Sequence, residues 1–166
     1  VFEKMEKEAD ILNAMRSYSD DDLIDFEKPT LTGVANSFAQ QALKKPDKFY
    51  AIYLKALHDS SIHIKYIIEG LESLIRCNYS PDKIDQLFCL LIKEIQHRDN
   101  VEQPLTNLIM CSRIEYYIKQ QLHMPQEVYN FVRNIVLNPS KDEDEIDNID
   151  YNLPLNRERG RAIDSL

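Results

Sequence analysis

Seven prolines divide this chain into segments that each carry the apolar period of an α-helix. They are Pro29, Pro46, Pro81, Pro104, Pro125, Pro139 and Pro154. All lie between these segments or at their starts, where proline opens a helix without removing an interior hydrogen bond. The 166 residues contain only three glycines and no tryptophan, which leaves little material for glycine-rich phosphate loops or turn-dense β-sandwiches. The chain is therefore predicted to be all-α.

Apolar spacing predicts about seven helices, followed by a truncated last helix from about residue 155. The seven are at residues 3–18, 31–45, 47–58, 61–77, 81–98, 103–122 and 125–137. In the fifth, Ile84, Leu87, Phe88, Leu91, Ile92 and Ile95 recur at the spacing of one helix face. Ser80 is expected to cap this helix, with Pro81 at its first position.

The short connections between these helices favour antiparallel neighbours. The predicted fold is an irregular right-handed array of antiparallel helical hairpins, an α-solenoid like those of HEAT and tetratricopeptide repeats. A closed helical bundle is the alternative. Composition predicts an N-terminal helix and acidic connection at 1–28, a helical-repeat core at 29–138, an acidic flexible loop at 139–154, and the start of a truncated helix at 155–166. Because the chain begins without Met and ends inside a predicted helix, we expect it to be a segment of a longer protein.

The charge balance argues against nucleic acid as a partner. Twenty Lys and Arg stand against 28 Asp and Glu, a net charge of −8, whereas phosphate binding requires an excess of cations. No apolar run predicts a membrane span, and no signal peptide is recognisable. Cys77, Cys89 and Cys111 are widely spaced and form no Cys-x-x-Cys pair. We therefore expect each to be a small buried hydrophobic residue of a protein in the reducing cytoplasm.

No residue pattern predicts a catalytic residue, a cofactor or a metal site. The string of a nucleotide-binding P-loop is missing, and the acidic runs, including Asp20–Asp22, lack EF-hand spacing. The histidines His58, His63, His97 and His123 have no paired metal-ligand spacing. Asp59, Ser60 and Ser61 are residue types found in the catalytic triads of hydrolases. Because they lie between two predicted helices, we expect them to cap helix ends instead. The tyrosines Tyr50, Tyr53, Tyr66, Tyr116, Tyr117 and Tyr129 are expected to pack with their hydroxyls at the surface, and some are candidates to line a concave binding face.

Three stretches resemble a known family. They are Thr32–Phe38 continuing through Lys45–Phe49, then Tyr66–Leu71 with its Gly-Leu pair, and finally Leu155–Ala162. The last contains an Asn-x-x-Arg-Gly-x-Ala pattern formed by Asn156, Arg159, Gly160 and Ala162. In this order and spacing they resemble the helical-repeat region of large bacterial STAND-type P-loop ATPases, a group that includes antiviral defence proteins. Arg157 and Glu158 stand where this family usually has Ser and Val.

The resemblance implies a helical array that senses a trigger and controls oligomerisation of a nucleotide-binding core. This segment would be a cytoplasmic, non-enzymatic scaffold or sensor that contacts a protein or adjacent domains of its own chain. Gly160 and Ala162 also remove side-chain bulk so that a helix can approach, and Arg159 can pair with acidic groups. Two alternatives remain: a segment of a multidomain enzyme that contributes to a shared active site, and a closed bundle for dimerisation.

Overall fold

The computed structural model describes residues 5–19, 29–98, 103–121 and 124–137. Regular structure within these ranges is helical throughout, which confirms the all-α prediction. The helices are α1 (Glu8–Ser17), α2 (Leu31–Lys44), α3 (Pro46–Leu57), α4 (Lys65–Arg76), α5 (Pro81–His97), α6 (Gln103–Gln121) and α7 (Gln126–Leu137). The acidic run at Asp20–Asp22, the loop predicted at 139–154 and the helix predicted from residue 155 lie outside the described residues.

The predicted helix boundaries agree closely with the structure except at two helix starts. The first helix begins at Glu8 rather than residue 3, and Lys7 before it has an extended backbone. The fourth begins at Lys65 rather than residue 61. There the Asp59 carboxylate accepts a hydrogen bond from the backbone N–H of Ser61, and the His63 ring accepts one from the backbone N–H of Lys65. Polar side chains that bond to nearby backbone in this way compete with the first helical turn.

The helices form two compact units, Val1–Leu91 and Ile92–Leu166, and the division within α5 was not predicted. In the first unit α2 makes its most extensive contact with α4, and α3 contacts α1, α2 and α4. In the second unit α6 contacts α7. Both α6 and α7 bury a stripe with one-face helical spacing: Met110, Cys111, Ile114 and Tyr117 on α6, and Val128, Phe131, Val132 and Ile135 on α7. Among the described helices, none combines the length and apolar composition that crossing a bilayer requires.

Four aromatic rings form the centre of the first unit where α2, α3 and α4 meet. Phe38 on α2 lies 6.3 Å from Phe49 and 6.2 Å from Tyr66, measured between ring centroids. Phe49 lies 5.8 Å from Tyr53 on the same helix. All four side chains are buried, and burial of each contributes about 2–3 kcal/mol of transfer free energy. Aromatic packing therefore holds these three helices together.

The ring of Tyr53 on α3 lies directly over Gly70 on α4. A Cβ atom added at Gly70 would lie 2.1 Å from Tyr53 Cζ and 2.6 Å from its hydroxyl oxygen. Only a residue without a side chain lets the two helices approach this closely. The glycine of the Gly-Leu pair at Gly70 thus has a packing role in this chain.

The predicted placement of tyrosine hydroxyls at the surface is wrong for the buried core tyrosines Tyr53, Tyr66 and Tyr117. Tyr53 is fully buried, and its hydroxyl has no hydrogen-bond partner among the described residues. Burial raises the pKa of Tyr53 far above its ordinary value, and the charge of Glu69 raises it further. Tyr66 is also buried, and its hydroxyl donates to the backbone carbonyl of Tyr18 at 2.6 Å. The Tyr66 bond fastens the chain after α1 to α4.

Replacing Gly70 with alanine should therefore lower the free energy of unfolding by about 1–3 kcal/mol, the usual cost of overpacking a core. In a Tyr53→Leu background the same change should cost much less, because the ring that it meets is gone. Urea denaturation of the four proteins measures this coupling. The control is Gly33→Ala on exposed α2 backbone, where the added Cβ would meet Thr30 Oγ1 at 3.3 Å. Equal costs at Gly70 in both backgrounds would contradict the contact.

Candidate functional site

The residues of the terminal pattern, Asn156, Arg159, Gly160 and Ala162, lie outside the described residues. Their proposed packing and pairing therefore stay predictions. Within the described ranges, no three His, Cys, Asp or Glu side chains come together in a group that could hold a metal ion. The candidate site described below is formed by residues that the sequence did not single out together.

Asp59 and Ser61 form a turn between α3 and α4. They do not cap either helix as predicted, because the C-cap residue of α3 is His58 and the N-cap residue of α4 is Ile64. Asp59 Oδ1 accepts from the Ser61 backbone N–H at 3.0 Å and from its hydroxyl at 2.5 Å. The other carboxylate oxygen lies 2.7 Å from Arg16 Nη2 at the end of α1. The hydrogen bonds from Ser61, followed by those from Arg16, lower the pKa of Asp59. The Ser61 hydroxyl therefore donates its hydrogen within this turn, and the ion pair of Arg16 with Asp59 links α1 to the turn.

The cysteines are less buried than the sequence predicted. Cys111 is buried, whereas Cys77 and Cys89 are only half-buried. Cys77 lies at the end of α4, where its thiol donates to the Leu74 carbonyl at 3.3 Å, and Cys89 lies beside the main apolar stripe of α5. Burial raises the pKa of the Cys77 thiol, so it stays protonated near neutral pH.

Four side chains from three segments meet at the surface of the first unit, and we call them the tyrosine–lysine cluster. Asp47 and Tyr50 come from the start of α3, Tyr79 follows α4, and Lys83 lies in the first turn of α5. The Lys83 ammonium nitrogen is 4.9 Å from the ring centroid of Tyr79 and 5.4 Å from that of Tyr50. The ring centroids are 5.6 Å apart and the rings are tilted by 47°. One ammonium group therefore lies within cation–π range of two rings.

The backbone turn after α4 places Tyr79 in the cluster. Asn78 has a positive φ of 52°. The N–H of Asn78 bonds to the Ile75 carbonyl and that of Tyr79 to the Leu74 carbonyl, each at 3.0 Å, which is the Schellman motif. Helix α5 then begins at Pro81, as expected. This arrangement directs the chain from α4 into α5 within four residues.

Hydrogen bonds link three members of the cluster. Lys83 Nζ donates to the Tyr79 hydroxyl at 2.7 Å, and that hydroxyl donates to Asp47 Oδ1 at 2.7 Å. Lys83 Nζ also lies 3.3 Å from the same carboxylate oxygen. Tyr50 is fixed separately, because its hydroxyl donates to Gln86 Oε1 at 2.8 Å. The cluster thus has a defined geometry rather than a loose set of surface charges.

The electrostatics of the cluster favour the recognition of charge over acid–base chemistry. The hydrogen bond from Tyr79, followed by that from Lys83, lowers the pKa of Asp47, and bonds to Tyr79 and Asp47 raise the pKa of Lys83. Burial raises the pKa of both Tyr50 and Tyr79. Near neutral pH the carboxylate and ammonium are therefore charged and both phenols protonated. None of the four groups titrates where a general acid or base works best.

Sequence reasoning placed Tyr50 among the packing tyrosines and did not connect it with Tyr79 or Lys83. Two local signals were present. Tyr79 and Lys83 are four residues apart across the start of a helix, and Asp47 and Tyr50 are three apart in another, spacings at which helical side chains meet. The contact between these two pairs depends on the packing of α3 and could not be inferred from spacing.

Replacing Asn78 should show whether the turn requires its positive φ. Asn78→Val should lower the free energy of unfolding by about 1–2 kcal/mol, because a β-branched residue is strained in this conformation. Asn78→Gly should retain the stability of the natural chain, since glycine adopts positive φ readily. Urea denaturation measures both. Equal stability of the two variants would contradict the assignment of this turn.

Replacing Asp47 should produce a pH-dependent loss of stability. Because the folded-state pKa of Asp47 lies below its ordinary value of 3.8, ionised Asp47 stabilises the fold above that pH. This contribution is lost as pH falls through the folded-state pKa. Asp47→Asn should therefore lower the melting temperature at neutral pH and have a smaller effect well below 3.8. The pH dependence of this difference should weaken in a Tyr79→Phe background, and an unchanged dependence there would contradict the Tyr79–Asp47 bond.

Comparisons with protein-family models, curated proteins and solved structures found no match to this chain. The candidate residues are accordingly those that its own contacts identify, Asp47, Tyr50, Tyr79 and Lys83. Two aromatic faces, a carboxylate and a phenolic oxygen surround a single ammonium group. Such a set of groups is suited to binding an organic cation.

Proposed function

We propose that the chain is a non-enzymatic helical-repeat scaffold or sensor segment of a larger bacterial signalling ATPase. In this proposal it is cytoplasmic and makes contacts with a protein partner or with adjacent domains of its own chain. The helices would form an irregular right-handed array of HEAT-like or tetratricopeptide-like hairpins. The packing of α2 against both α3 and α4 supports this arrangement, because hairpin arrays bring each helix against its next two neighbours.

The tyrosine–lysine cluster is the observation that carries the proposal. Tyrosine is enriched in protein interfaces, where its ring contributes contact area and its hydroxyl contributes orientation. Near neutral pH the cluster keeps its groups in charge states that suit binding. The resemblance at Leu155–Ala162 supports the assignment to a signalling ATPase, with Asn156, Arg159, Gly160 and Ala162 joining this segment to the rest of the array.

Two measurements test the proposal. Residues 1–166 produced alone should neither bind nor hydrolyse ATP, measured by titration calorimetry and phosphate release, because the sequence has no P-loop string. In the full-length protein, a photo-crosslinking amino acid replaces one exposed helix residue at a time: Gln40, Ala51 or Gln96. We expect crosslinks to another protein or to another domain of the same chain.

Nucleotide turnover by residues 1–166 would contradict the proposal and favour an enzyme segment. Failure of every exposed position to form a protein crosslink would also contradict it. A compact dimer in solution scattering would contradict the extended array and favour the closed bundle. The matched control is each variant without irradiation, which should form no crosslinks.

A further inference from the structure

We propose that the tyrosine–lysine cluster binds a lysine side chain of a basic protein segment, and that Lys83 occupies the site until that lysine displaces it. The proposal rests on the proposed function, since it specifies the partner chemistry of an interaction module. Lys83 acts as an internal ligand, and its contacts indicate that the site binds a primary ammonium group. Those contacts involve Tyr50, Tyr79 and Asp47.

The site provides the contacts that a primary ammonium group requires. Two ring faces lie 4.9 and 5.4 Å from the nitrogen, within cation–π range. The Tyr79 hydroxyl accepts one hydrogen bond at 2.7 Å, and Asp47 Oδ1 lies 3.3 Å away. An incoming lysine could use the same acceptors, because Tyr79 and Asp47 are also bonded to each other.

The ring platform is more firmly held than its present occupant. Tyr50 is only 7% exposed, and its hydroxyl is fixed by Gln86. By contrast, 44% of the Lys83 side chain and 84% of the Asp47 side chain are exposed. Ion pairs at this exposure contribute little net free energy, because water competes for both groups. The exposed ion pair therefore adds little to what holds Lys83, and an incoming lysine has to replace its two ring contacts and its hydrogen bond to Tyr79.

Charges of both signs lie along the chain around the site, so the choice of a lysine rests on the contacts that Lys83 makes. Asp82 and Asp85 lie within one turn of Lys83 on α5, and Asp47 faces it from α3. The basic residues within three positions of Asp47 in the chain are Lys44, Lys45 and Lys48. Once a partner lysine replaces Lys83 at the rings, exposed Asp82 would be the carboxylate on α5 nearest to the remaining basic residues of that partner. The net charge of −8 acts at longer range, since it attracts a basic partner during diffusion.

Removing the internal ligand should increase affinity for an external one. The probe is a fluorescein-labelled glycine-rich peptide with three lysines, and the readout is fluorescence anisotropy with the full-length protein. Lys83→Ala should bind this peptide roughly five- to tenfold more tightly than the natural protein, because a larger fraction of sites is open. A peptide with the three lysines acetylated should show no such gain, since acetylation removes the charge.

Matched variants separate this mechanism from a simple change in net charge. Lys93→Ala removes the same charge from an exposed position on the same helix and should give less gain than Lys83→Ala. In the Lys83→Ala background, Tyr79→Leu should abolish the gain, whereas Tyr79→Phe should retain most of it because the ring remains. Circular dichroism tests whether each variant is folded. If Tyr79→Leu is misfolded, Tyr50→Leu takes its place as the variant that lacks one ring.

Equal gains from Lys83→Ala and Lys93→Ala would overturn the proposal, as would a gain that survives removal of either ring. These outcomes are distinguishable from failure of the proposed function. If protein crosslinks form at Gln40, Ala51 or Gln96 while the lysine peptide shows no gain, the segment is an interaction module and the cluster is not its lysine site. If residues 1–166 hydrolyse ATP, the proposed function itself fails.

Discussion

The ring of Tyr53 lies against the bare backbone of Gly70, and this contact sets how closely α3 approaches α4. A side chain at Gly70 would occupy the position of the ring, so the two helices would have to separate or the ring would have to turn. The same ring packs on Phe49, which in turn packs on Phe38 of α2. The packing of α2, α3 and α4 therefore depends on one position without a Cβ atom.

The surface cluster depends on the same packing. Asp47 and Tyr50 lie on α3 within two turns of Tyr53, while Tyr79 is held by the turn that ends α4. A change in the separation of these two helices would move Tyr50 away from Tyr79 and open the space around Lys83. We therefore expect the core contact to influence the candidate binding site through α3, since the atoms nearest to a Cβ at Gly70 belong to Tyr53.

Local features of the sequence predicted the helices well, and contacts between distant residues account for what was missed. Helix α2 was predicted at 31–45 and is found at Leu31–Lys44, because proline positions and apolar spacing act within a few residues. The start of α4 was missed because side-chain bonds from Asp59 and His63 compete with helix formation there. The contact of Tyr50 with Tyr79 joins α3 to the turn between α4 and α5, and one sequence carries no local signal for it.

The most direct test of the lysine site is the ¹H chemical shift of the Lys83 ε-methylene protons. In the unliganded protein these protons should be shifted strongly upfield, because ring currents of Tyr50 and Tyr79 act on a group held over their faces. Saturation with the lysine peptide should return them to the value of a solvated lysine while the peptide's own ε-methylene protons shift upfield. Lys83 protons at the solvated value before addition, or still upfield at saturation, would contradict displacement of Lys83 by a partner lysine.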